Sequence, residues 1–587
     1  MQQHIAIVDK TKCRSSDCGK ECIKYDPINR SGGEGFHLGD DGKAEIGEEQ
    51  VTEMHKICAK MCPYDAIKIV KLPAELHKEP VHCYGQNQFR LYNLPIPMFG
   101  KVVGILGRNG IGKSTAIQIL AGAITPNFGD FSRNDKASYT EIIGHFKGTE
   151  AQVFFEKIRD GKITVSYKPQ QVDLIPQSAR GTVRELLQNI DEEAKLGQLA
   201  EQLELTGFLD TDIGKISGGE LQRTAIAATV LKKANLYIFD EPSSYLDIKQ
   251  RIKMAKFIRG LADEHTAVMV VEHDLVVLDY MTDLIHMMYG DEGSYGIVSQ
   301  PKASRVGMNV YLSGYLKEEN IRFRSKGITF TVNSRPKKLK HVRLTEWKDI
   351  HAVLGTFRFS SAKGHLDKGV VTGIVGENGI GKTSFVRILA HDLEAFEGDI
   401  LEKVTVSYKP QYLTATTMTV MEFLKDAVKN HTSTLIGPLD ITPLLMKRLD
   451  QLSGGELQRV SVVHCLSAEA DLYLLDEPSA YLDVEQRLII SKVIKDFALT
   501  RDCSIAVVDH DLVFIDYLSD ELLVFKGIPA ENGEALGPYA MAEGMNLFLR
   551  DLQITLRRDM ESKRPRINKP GSQKDQEQRR SGKLYYA

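Results

Sequence analysis

The chain has 587 residues, too many for one ordinary domain, so roughly three or four domains are expected. Its hydrophobic content of 42% and charged content of 26% are those of a globular protein, and the net charge of −3 excludes a polycation. No apolar run approaches the ~20 residues that a transmembrane helix needs. The amino terminus lacks the apolar core of a signal peptide, so we expect a cytoplasmic protein with no membrane domain.

Cysteines are concentrated near the amino terminus, where five of the eight fall within the first 62 residues. A reducing cytosol keeps thiols free, so such a cluster indicates metal binding rather than disulfides. The last of these cysteines precedes Pro63, and a Cys-Pro pair closes each half of a bacterial ferredoxin, where the final thiolate binds the other half's cluster. We therefore predict a ferredoxin-like α+β domain over residues 1–75. One [4Fe–4S] cluster would be held by Cys13, Cys18, Cys22 and Cys62.

A phosphate-binding loop of the form G-x4-G-K-[ST] occurs twice, and each copy lies between an apolar strand pattern and a helix pattern. In that context backbone N–H groups and the helix N-terminus face the phosphates, the lysine reaches the β- and γ-phosphates, and the hydroxyl binds Mg²⁺. The predicted nucleotide-binding residues of the first loop are Gly107, Asn109, Gly110, Gly112, Lys113, Ser114 and Thr115. Those of the second loop are Gly376, Asn378, Gly379, Gly381, Lys382, Thr383 and Ser384.

The same further motifs follow each loop in the same order. An apolar strand pattern ends in Asp240-Glu241 and again in Asp476-Glu477, where the aspartate would hold the Mg²⁺ shell and the glutamate would polarise the attacking water. Other predicted residues are the Mg²⁺ ligands Ser114, Thr383, Gln170 and Gln411, the segments Ser217-Gly218-Gly219-Glu220 and Ser453-Gly454-Gly455-Glu456, and the histidines His273 and His510. Two complete sets indicate two ATPase modules in one chain.

This motif order resembles the ATP-binding-cassette family from about residue 80 to 530. The resemblance implies an α/β fold in which two P-loop domains pair head to tail behind the ferredoxin-like domain. The site of Lys113 would be completed by Ser453–Glu456 and the site of Lys382 by Ser217–Glu220. As the resemblance further implies, His273 and His510 would contact the γ-phosphate, and an aromatic ring would stack on adenine. Tyr84, with Phe89 next, is the candidate for the first site, and Trp347 for the second.

A ferredoxin-like domain joined to two cassettes, with the tail Arg564-Pro-Arg-Ile-Asn-Lys569, resembles subfamily E of these proteins, the RNase L inhibitor type. That resemblance implies an ATPase that splits ribosomes into subunits after termination or stalling. It would act with a class-1 release factor or its stalled-ribosome relative, and it would stay on the small subunit into initiation, near initiation factors. A monomer is expected.

The sequence departs from this subfamily at the second cluster, where four cysteines are the rule. The matching positions are Asp26, Thr52, His55 and Cys58, so one thiolate is left. Zinc at Asp26, His55 and Cys58 is one interpretation, and a site packed by hydrogen bonds is the other. We expect one cluster, with the second site empty or rebuilt.

The internal repeats suggest domain boundaries. We expect a first nucleotide-binding domain at 76–300 with a helical hairpin inserted at 131–160, a hinge at 301–340, a second nucleotide-binding domain at 341–530, and a second hinge with a basic tail at 531–587. Gly307-Met-Asn-Val-Tyr-Leu312 recurs as Gly544-Met-Asn-Leu-Phe-Leu549, which we interpret as a paired hinge. From Arg557 onwards the tail contains ten Lys and Arg residues but four Asp and Glu residues. We expect this basic tail, together with the basic stretch Arg335–Lys340, to contact rRNA.

Two rival functions stay open at this point. A cassette ATPase of the ribosomal exit site would have a long charged helical linker between its modules and no cysteine-rich domain. An Fe–S cluster assembly scaffold would use the amino-terminal cysteines as a transfer site.

Overall fold

The computed structural model describes residues 4–73, 79–132, 135–324, 327–330, 342–390, 393, 397–400, 404–411, 413 and 415–586. The predicted boundary at 75/76 and the basic stretch Arg335–Lys340 lie outside these ranges. Among the described residues, no helix combines the length and the apolar character needed to cross a membrane.

The amino-terminal region is a small α+β domain with its own core. Its longest strands, His4–Val8 and Ile67–Lys71, pair antiparallel and close the domain. Between them lie the helices Glu21–Lys24, Pro27–Arg30 and Lys56–Met61, the 3-10 turns Glu48–Gln50 and Glu53–His55, and the paired strands His37–Leu38 and Ala44–Glu45. The buried core includes Ala6, Val8, Phe36 and Ile46, together with several of the cysteines.

The first module, residues 79–303, is built on a mostly parallel sheet. Its central strands Val102–Leu106, Ala267–Val271 and Leu236–Asp240 are buried along their whole length, because helices cover both faces of a parallel sheet. In spatial order the strands are His82–Cys83, Arg90–Tyr92, Tyr295–Val298, Leu284–Asp291, Val102–Leu106, Ala267–Val271, Leu236–Asp240 and Val165–Lys168, with Lys302–Ala303 beside Leu284–Asp291. The helices are Lys113–Leu120, Tyr139–His145, Glu150–Arg159, Ile175–Ser178, Val183–Gln188, Leu196–Gln202, Gly218–Leu231, Ile248–Gly260 and Leu275–Met281, with a 3-10 turn at Val172–Leu174. Tyr139–His145 and Glu150–Arg159 fall within the predicted insertion at 131–160.

The second module, residues 342–540, repeats this architecture. Its strands in spatial order are Gly364–Asp367, Arg343–Leu354, Phe357–Ser361, Asn532–Ala540, Glu521–Ile528, Val371–Val375, Ser504–Val508, Leu472–Asp476 and Val406–Lys409, with Glu397–Ile400 on Arg343–Leu354. The helices are Lys382–Leu389, Val420–Phe423, Lys425–Asn430, Gly454–Ser467, Val484–Arg501 and Leu512–Leu518, with a π-helical turn at Thr432–Ile436 and 3-10 turns at Thr442–Leu444 and Leu449–Gln451.

The predicted end of the second module at residue 530 is wrong. Residue 530 lies in the turn of a hairpin whose second strand, Asn532–Ala540, pairs with both Glu521–Ile528 and Phe357–Ser361. Because that strand lies inside the sheet, the module extends to residue 540.

The repeated Gly-Met-Asn segments lie in the helices Ser304–Ser313 and Met541–Leu552, which follow the two sheets. A Cβ on Gly307 would lie 3.3 Å from Ile285, and one on Gly544 would lie 2.8 Å from Leu522, so each glycine lets its helix pack closely on its own module. The asparagines reach further: Asn309 donates to the Asp559 carboxylate (3.1 Å), and Asn546 accepts from the Leu584 amide (2.7 Å).

Those contacts lead to a C-terminal strap, residues 556–586, which holds both modules. It contains the antiparallel strands Leu556–Arg558 and Pro565–Ile567 and the helix Gln573–Ser581. Arg564 and Arg566 bind Asp279 of the first module, with Nη1 to Oδ2 at 3.1 Å for Arg564. The hydroxyls of Tyr585 and Tyr586 both donate to Asp516 of the second module. A short pair, Tyr315–Leu316 and Ile321–Arg322, lies between the modules in sequence.

The strap places much of the predicted basic tail against the two modules. Of its ten Lys and Arg residues, five form ion pairs within the chain, namely Arg558, Arg564, Arg566, Lys574 and Arg579. Arg564 is fully buried. The sequence could not reveal this, because the acidic partner Asp279 lies far away along the chain.

Candidate nucleotide sites and cysteine cluster

Both phosphate loops join a buried strand to a helix that starts at the lysine. Gly112 and Gly381 have φ of 87° and 90°, in the left-handed region that side chains disfavour, and Gly110 and Gly379 share that region. The loop backbone can therefore curl around an anion. Lys113 Nζ donates to the carbonyls of Gly107 (3.0 Å) and Arg108 (2.7 Å), so the ammonium lies over the loop. Lys382 repeats this geometry, and burial lowers its pKa to about 8.

The predicted Mg²⁺ ligands come together in each module. Thr383 Oγ1 donates to Asp476 Oδ2 at 2.9 Å, and Ser114 hydrogen-bonds to Asp240. The glutamines contact the neighbouring glutamates instead: Gln411 Nε2 donates to Glu477 Oε1 at 2.8 Å, and Gln170 Nε2 donates to Glu241 Oε1 at 2.8 Å. Burial raises the pKa of Asp240 and of Asp476 to about 6, which is the effect that a bound cation would reverse.

The two glutamates are held in a strained, charged state beside the histidines. Glu241 and Glu477 have φ of 48° and 47°, an unfavourable conformation for a side-chain-bearing residue and one found at functional sites. His273 Nε2 lies 3.4 Å from Glu241 Oε1, and His510 Nε2 lies 3.5 Å from Glu477 Oε1. Burial raises the pKa of Glu241, but the neighbouring His273 and Lys113 outweigh burial and lower that pKa to about 2. The carboxylate is thus ionised and able to orient a water molecule.

The Ser-Gly-Gly-Glu segments form the N-termini of two long helices, Gly218–Leu231 and Gly454–Ser467. Ser217 accepts a hydrogen bond from the Glu220 amide (3.3 Å), while Glu220 accepts from the Ser217 amide (2.7 Å), so the pair forms a capping box. Ser453 and Glu456 form the same box. Gly218, Gly219, Gly454 and Gly455 make up the first turns, whose free N–H groups suit an anion.

The modules lie head to tail, with each phosphate loop against the other module. Asp247 and Asp483 cap the helices that follow the catalytic glutamates. Asp483 Oδ2 accepts from the Asn109 amide at 3.4 Å, and Asp247 Oδ2 accepts from the Asn378 amide at 2.9 Å. The motif search missed both aspartates, although they occupy matched positions, six residues after Glu241 and Glu477.

A cleft of about 220 Å³ lies where the first module's phosphate loop meets the capped helix of the second module, a contact that we call the first crossing. It is lined by the phosphate-loop residue Arg108, by Glu456 and Arg459 of the second module's signature helix, and by Lys12 of the cysteine-rich domain. The first phosphate loop and the Ser453–Glu456 segment therefore border one space, as a composite ATP site requires.

The prediction for Trp347 as an adenine-stacking residue is wrong. Its side chain is fully buried, its Nε1 donates to Ser361 Oγ at 2.9 Å, and its ring packs edge-on against Phe385. A core indole offers no face to a ligand. Phe357 occupies the position that Phe89 has in the first module, since each ring packs on the last loop glycine, Gly381 or Gly112. The shared dipeptide Phe-Arg at 89–90 and 357–358 could have identified it.

Tyr84 and Phe89 both border the first phosphate loop. Tyr84 is 49% exposed, and its hydroxyl lies 3.0 Å from Thr115 Oγ1. Phe89 lies under Gly112, and its ring centroid is 6.5 Å from that of Tyr84. Either ring is near enough to the loop to meet a base.

Four cysteines of the amino-terminal domain surround one small cavity of about 20 Å³, namely Cys13, Cys18, Cys22 and Cys62. Burial and the neighbouring thiols raise the pKa of Cys22 to about 11, so the thiolates would need positive iron beside them to form. The Ala44 amide points at Cys13 Sγ (3.5 Å) and the Ala66 amide at Cys62 Sγ (3.4 Å). The donor set and these N–H···S contacts fit a [4Fe–4S] cluster.

The second cluster position is rebuilt from polar side chains. Asp26 Oδ1 accepts from the amides of Ile28 (2.7 Å) and Asn29 (3.0 Å), and its Oδ2 lies 3.6 Å from His55 Nε2. The Thr52 amide donates to His55 Nδ1 at 3.0 Å. Asp26, His55 and Cys58 are all fully buried, and burial raises the pKa of Cys58 to about 12. The Asp26 and His55 side chains are thus occupied by hydrogen bonds to backbone amides, as expected of a site packed by hydrogen bonds.

Comparisons with known proteins agree with this architecture. A family model described as "ABC transporter" matches residues 96–244 and 359–480, and one described as "Possible Fer4-like domain in RNase L inhibitor, RLI" matches residues 4–34. An uncharacterized ABC transporter ATP-binding protein of Methanocaldococcus jannaschii is 46% identical, over 99% of this chain and 97% of its own.

Two solved structures are similar over most of their length. A model of ribosome-bound archaeal Pelota and ABCE1 contains a chain 48% identical, with a TM-score of 0.93 over 100% of this chain and 99% of that one. A complex of archaeal ribosomal stalk protein aP1 with archaeal ribosome recycling factor aABCE1 contains one 48% identical, with a TM-score of 0.83 over 88% of this chain and 100% of that one. The predicted fold class, with two cassette ATPase domains behind a ferredoxin-like domain, is confirmed, and the chain belongs to the RNase L inhibitor (ABCE1) family of ATP-binding-cassette ATPases.

Proposed function

We propose that the chain is an ATP-driven ribosome-recycling factor that separates ribosomal subunits after termination or stalling. The observation that carries the proposal is the attachment of the cluster domain to the first module directly beside the first composite ATP site. Closure of two cassettes around ATP produces work only if the movement is transmitted to another part of the molecule. The cluster domain is the part that contacts the first module beside its ATP site.

The attachment is made through Asn87, which lies between Tyr84 and Phe89. Its backbone oxygen accepts from the Val8 amide (2.8 Å), and its side-chain oxygen accepts from the Ile46 amide (3.0 Å). Two ion pairs flank it, Arg90 with Glu48 and Lys68 with Asp291. Because this segment borders the first phosphate loop, movement of the modules around ATP would also move the cluster domain.

The proposed partners follow from the relatives. One solved relative is ribosome-bound with Pelota, and another is in complex with a ribosomal stalk protein. We infer that this chain acts in the cytoplasm as a monomer on the ribosome with a class-1 release factor or its stalled-ribosome relative. It then stays on the small subunit near initiation factors, with rRNA contacts through the hinge and the helices Tyr139–His145 and Glu150–Arg159.

The proposed cofactors are ATP, Mg²⁺ and one [4Fe–4S] cluster. Support for a single cluster comes from the contrast between the two positions. Four cysteines line one cavity, whereas Asp26 and His55 fill the other with hydrogen bonds. The cluster would stabilise the fold around Cys13 and Cys62, and no step of ATP hydrolysis needs it.

Sedimentation of ribosomes through sucrose gradients tests the proposal. Wild-type protein with ATP and a release factor is expected to convert joined ribosomes into subunits. A chain without residues 1–75 keeps every phosphate ligand, so it should hydrolyse ATP and leave the ribosomes joined. Splitting at the wild-type rate by the truncated chain would overturn the mechanism.

The rivals find less support. A cluster-transfer scaffold needs accessible ligands, and although Cys18 and Cys62 are partly exposed, Cys13 and Cys22 are each only 8% exposed. A cluster that stays bound to the purified protein in the presence of an apo-acceptor would count against the scaffold. An exit-site ATPase would have no use for the docked cluster domain.

A further inference from the structure

Each phosphate loop carries a charged residue next to its first glycine, and the two charges have opposite signs. The residue is Arg108 in the first module and Glu377 in the second. The capped helix that crosses from the other module also carries a charge, two positions after its capping aspartate. That residue is Lys249 in the first module and Glu485 in the second.

At both crossings the charges meet as ion pairs between modules. Arg108 Nε lies 3.2 Å from Glu485 Oε2, and Lys249 Nζ donates to Glu377 Oε1 at 2.7 Å. The side chains are partly shielded, with exposures of 45% and 20% in the first pair and 38% and 30% in the second. Each pair lies beside a backbone contact, Asp483 to Asn109 or Asp247 to Asn378, so its geometry is anchored on both sides.

The arrangement is complementary only between unlike modules. If two first modules met head to tail, Arg108 of each would face Lys249 of the other. If two second modules met, Glu377 would face Glu485. Like charges in such positions oppose association, and the surrounding backbone contacts are nearly identical in both modules and so cannot discriminate.

Other charged residues lie around the ion pair between Arg108 and Glu485. Arg324 Nε, 7% exposed as a side chain, lies 3.4 Å from Glu485 Oε2, so this carboxylate is shared by two guanidinium groups. Glu292 lies near Arg108 and, with Lys12 and Arg459, lines the same cleft. Reversal of Glu485 should therefore disturb more than reversal of Arg108.

We propose that these two charge-swapped pairs determine module pairing, so that the first module closes on the second module of the same chain and like modules of two copies do not pair. A short flexible linker alone gives an effective concentration in the millimolar range, and the strap that binds Asp279 and Asp516 adds to it, so closure within the chain is already favoured before these charges act. The charge pattern supplies the discrimination. The proposal concerns only which modules pair, so it does not depend on the partner that the closed modules act on.

Charge reversal in the full-length protein tests the proposal. In Arg108→Glu, closure within the chain would bring the new carboxylate near Glu485 and Glu292, which repel it. Pairing of two first modules would instead become attractive, because that carboxylate would face Lys249 of the other copy. We expect ATP turnover to fall about tenfold (about 1.4 kcal/mol) and an ATP-dependent dimer to appear in light scattering at low salt. Arg108→Glu combined with Glu485→Arg restores attraction within the chain but places a second guanidinium beside Arg324, so turnover should recover only part of the tenfold loss. Like modules also attract in this variant, through Lys249 and Glu377, so the ATP-dependent dimer should persist.

Three comparisons make the result decisive. Arg108→Ala removes the attraction without adding repulsion, so it should lower turnover less and stay monomeric. Arg184→Glu reverses an exposed charge that pairs with Asp210 inside one module, and it should change neither measurement. Cluster absorbance reports that every variant is folded.

Equal loss in Arg108→Glu and Arg108→Ala, or no recovery in the double variant, would show that the pair does not govern closure. Recovery of turnover in the double variant, with the single reversals monomeric at every ATP concentration, would establish the ion pair but overturn its role in excluding like pairing. Raising the salt concentration should weaken all of the expected differences, because the pairs are partly exposed.

Discussion

Replacement of Asp26 by alanine tests whether the rebuilt second site holds the cluster domain together. The carboxylate accepts three backbone hydrogen bonds, from Ile28 (2.7 Å), Asn29 (3.0 Å) and Phe36 (2.9 Å). Bonds to a charged acceptor contribute about 1.5–3 kcal/mol each. Since bonds that share one acceptor are not additive, we expect a loss of about 4 kcal/mol rather than the full sum.

Hydrogen exchange resolves this change locally. A loss of about 4 kcal/mol corresponds to exchange roughly a thousandfold faster at the amides of residues 28–36. Asp26→Asn keeps one acceptor oxygen and should lie between wild type and alanine. Asp41→Ala is the matched control, because that carboxylate is 41% exposed and pairs with Lys10 at the surface. Unchanged protection of residues 28–36 in Asp26→Ala would refute the view that this aspartate replaces the missing cluster as an anchor.

Three further predictions concern the sites themselves. Glu241→Gln and Glu477→Gln should each slow hydrolysis about a hundredfold or more while ATP binding persists, because the carboxylate orients water and the lysines hold phosphate; full steady-state turnover of the double variant would contradict the assignment. Cys62→Ser should lose its brown colour and most of its iron while Cys58→Ser keeps both, and wild-type iron near eight atoms per chain, rather than about four, would contradict a single cluster. Because the pKa of Asp240 is raised to about 6, protons compete with metal below that pH. The half-saturating Mg²⁺ concentration should therefore rise about tenfold between pH 7 and pH 5, and a flat profile would oppose this.

Local rules account for what the sequence predicted well. The glycines of the phosphate loops and the capping boxes at Ser217 and Ser453 depend on backbone conformation within a few residues, which motif spacing records directly. The four cysteines around one cavity follow from spacing in the same way.

Long-range contacts account for what it missed. The resemblance implied an aromatic ring for the second site, which made Trp347 the candidate, but only the packed sheet reveals that Phe385 and Ser361 enclose this side chain. The arginines of the strap form a basic segment in the sequence, and their acidic partner Asp279 comes beside them only in the folded chain. The module boundary at residue 530 was misplaced because strand pairing in a hairpin is not visible in motif order.

Asp279 and Asp516 occupy the same position in the two modules, each six residues after the histidine of its module, His273 or His510. Asp279 receives two guanidinium groups, whereas Asp516 receives two phenols and the single guanidinium of Arg558. The two modules therefore share their phosphate-binding motifs and differ as attachment points. A gene that exchanged the order of the modules would keep every phosphate ligand, but the strap would then begin from the module that carries Asp279 rather than from the one that carries Asp516. The order of the cassettes along the chain is thus part of the architecture.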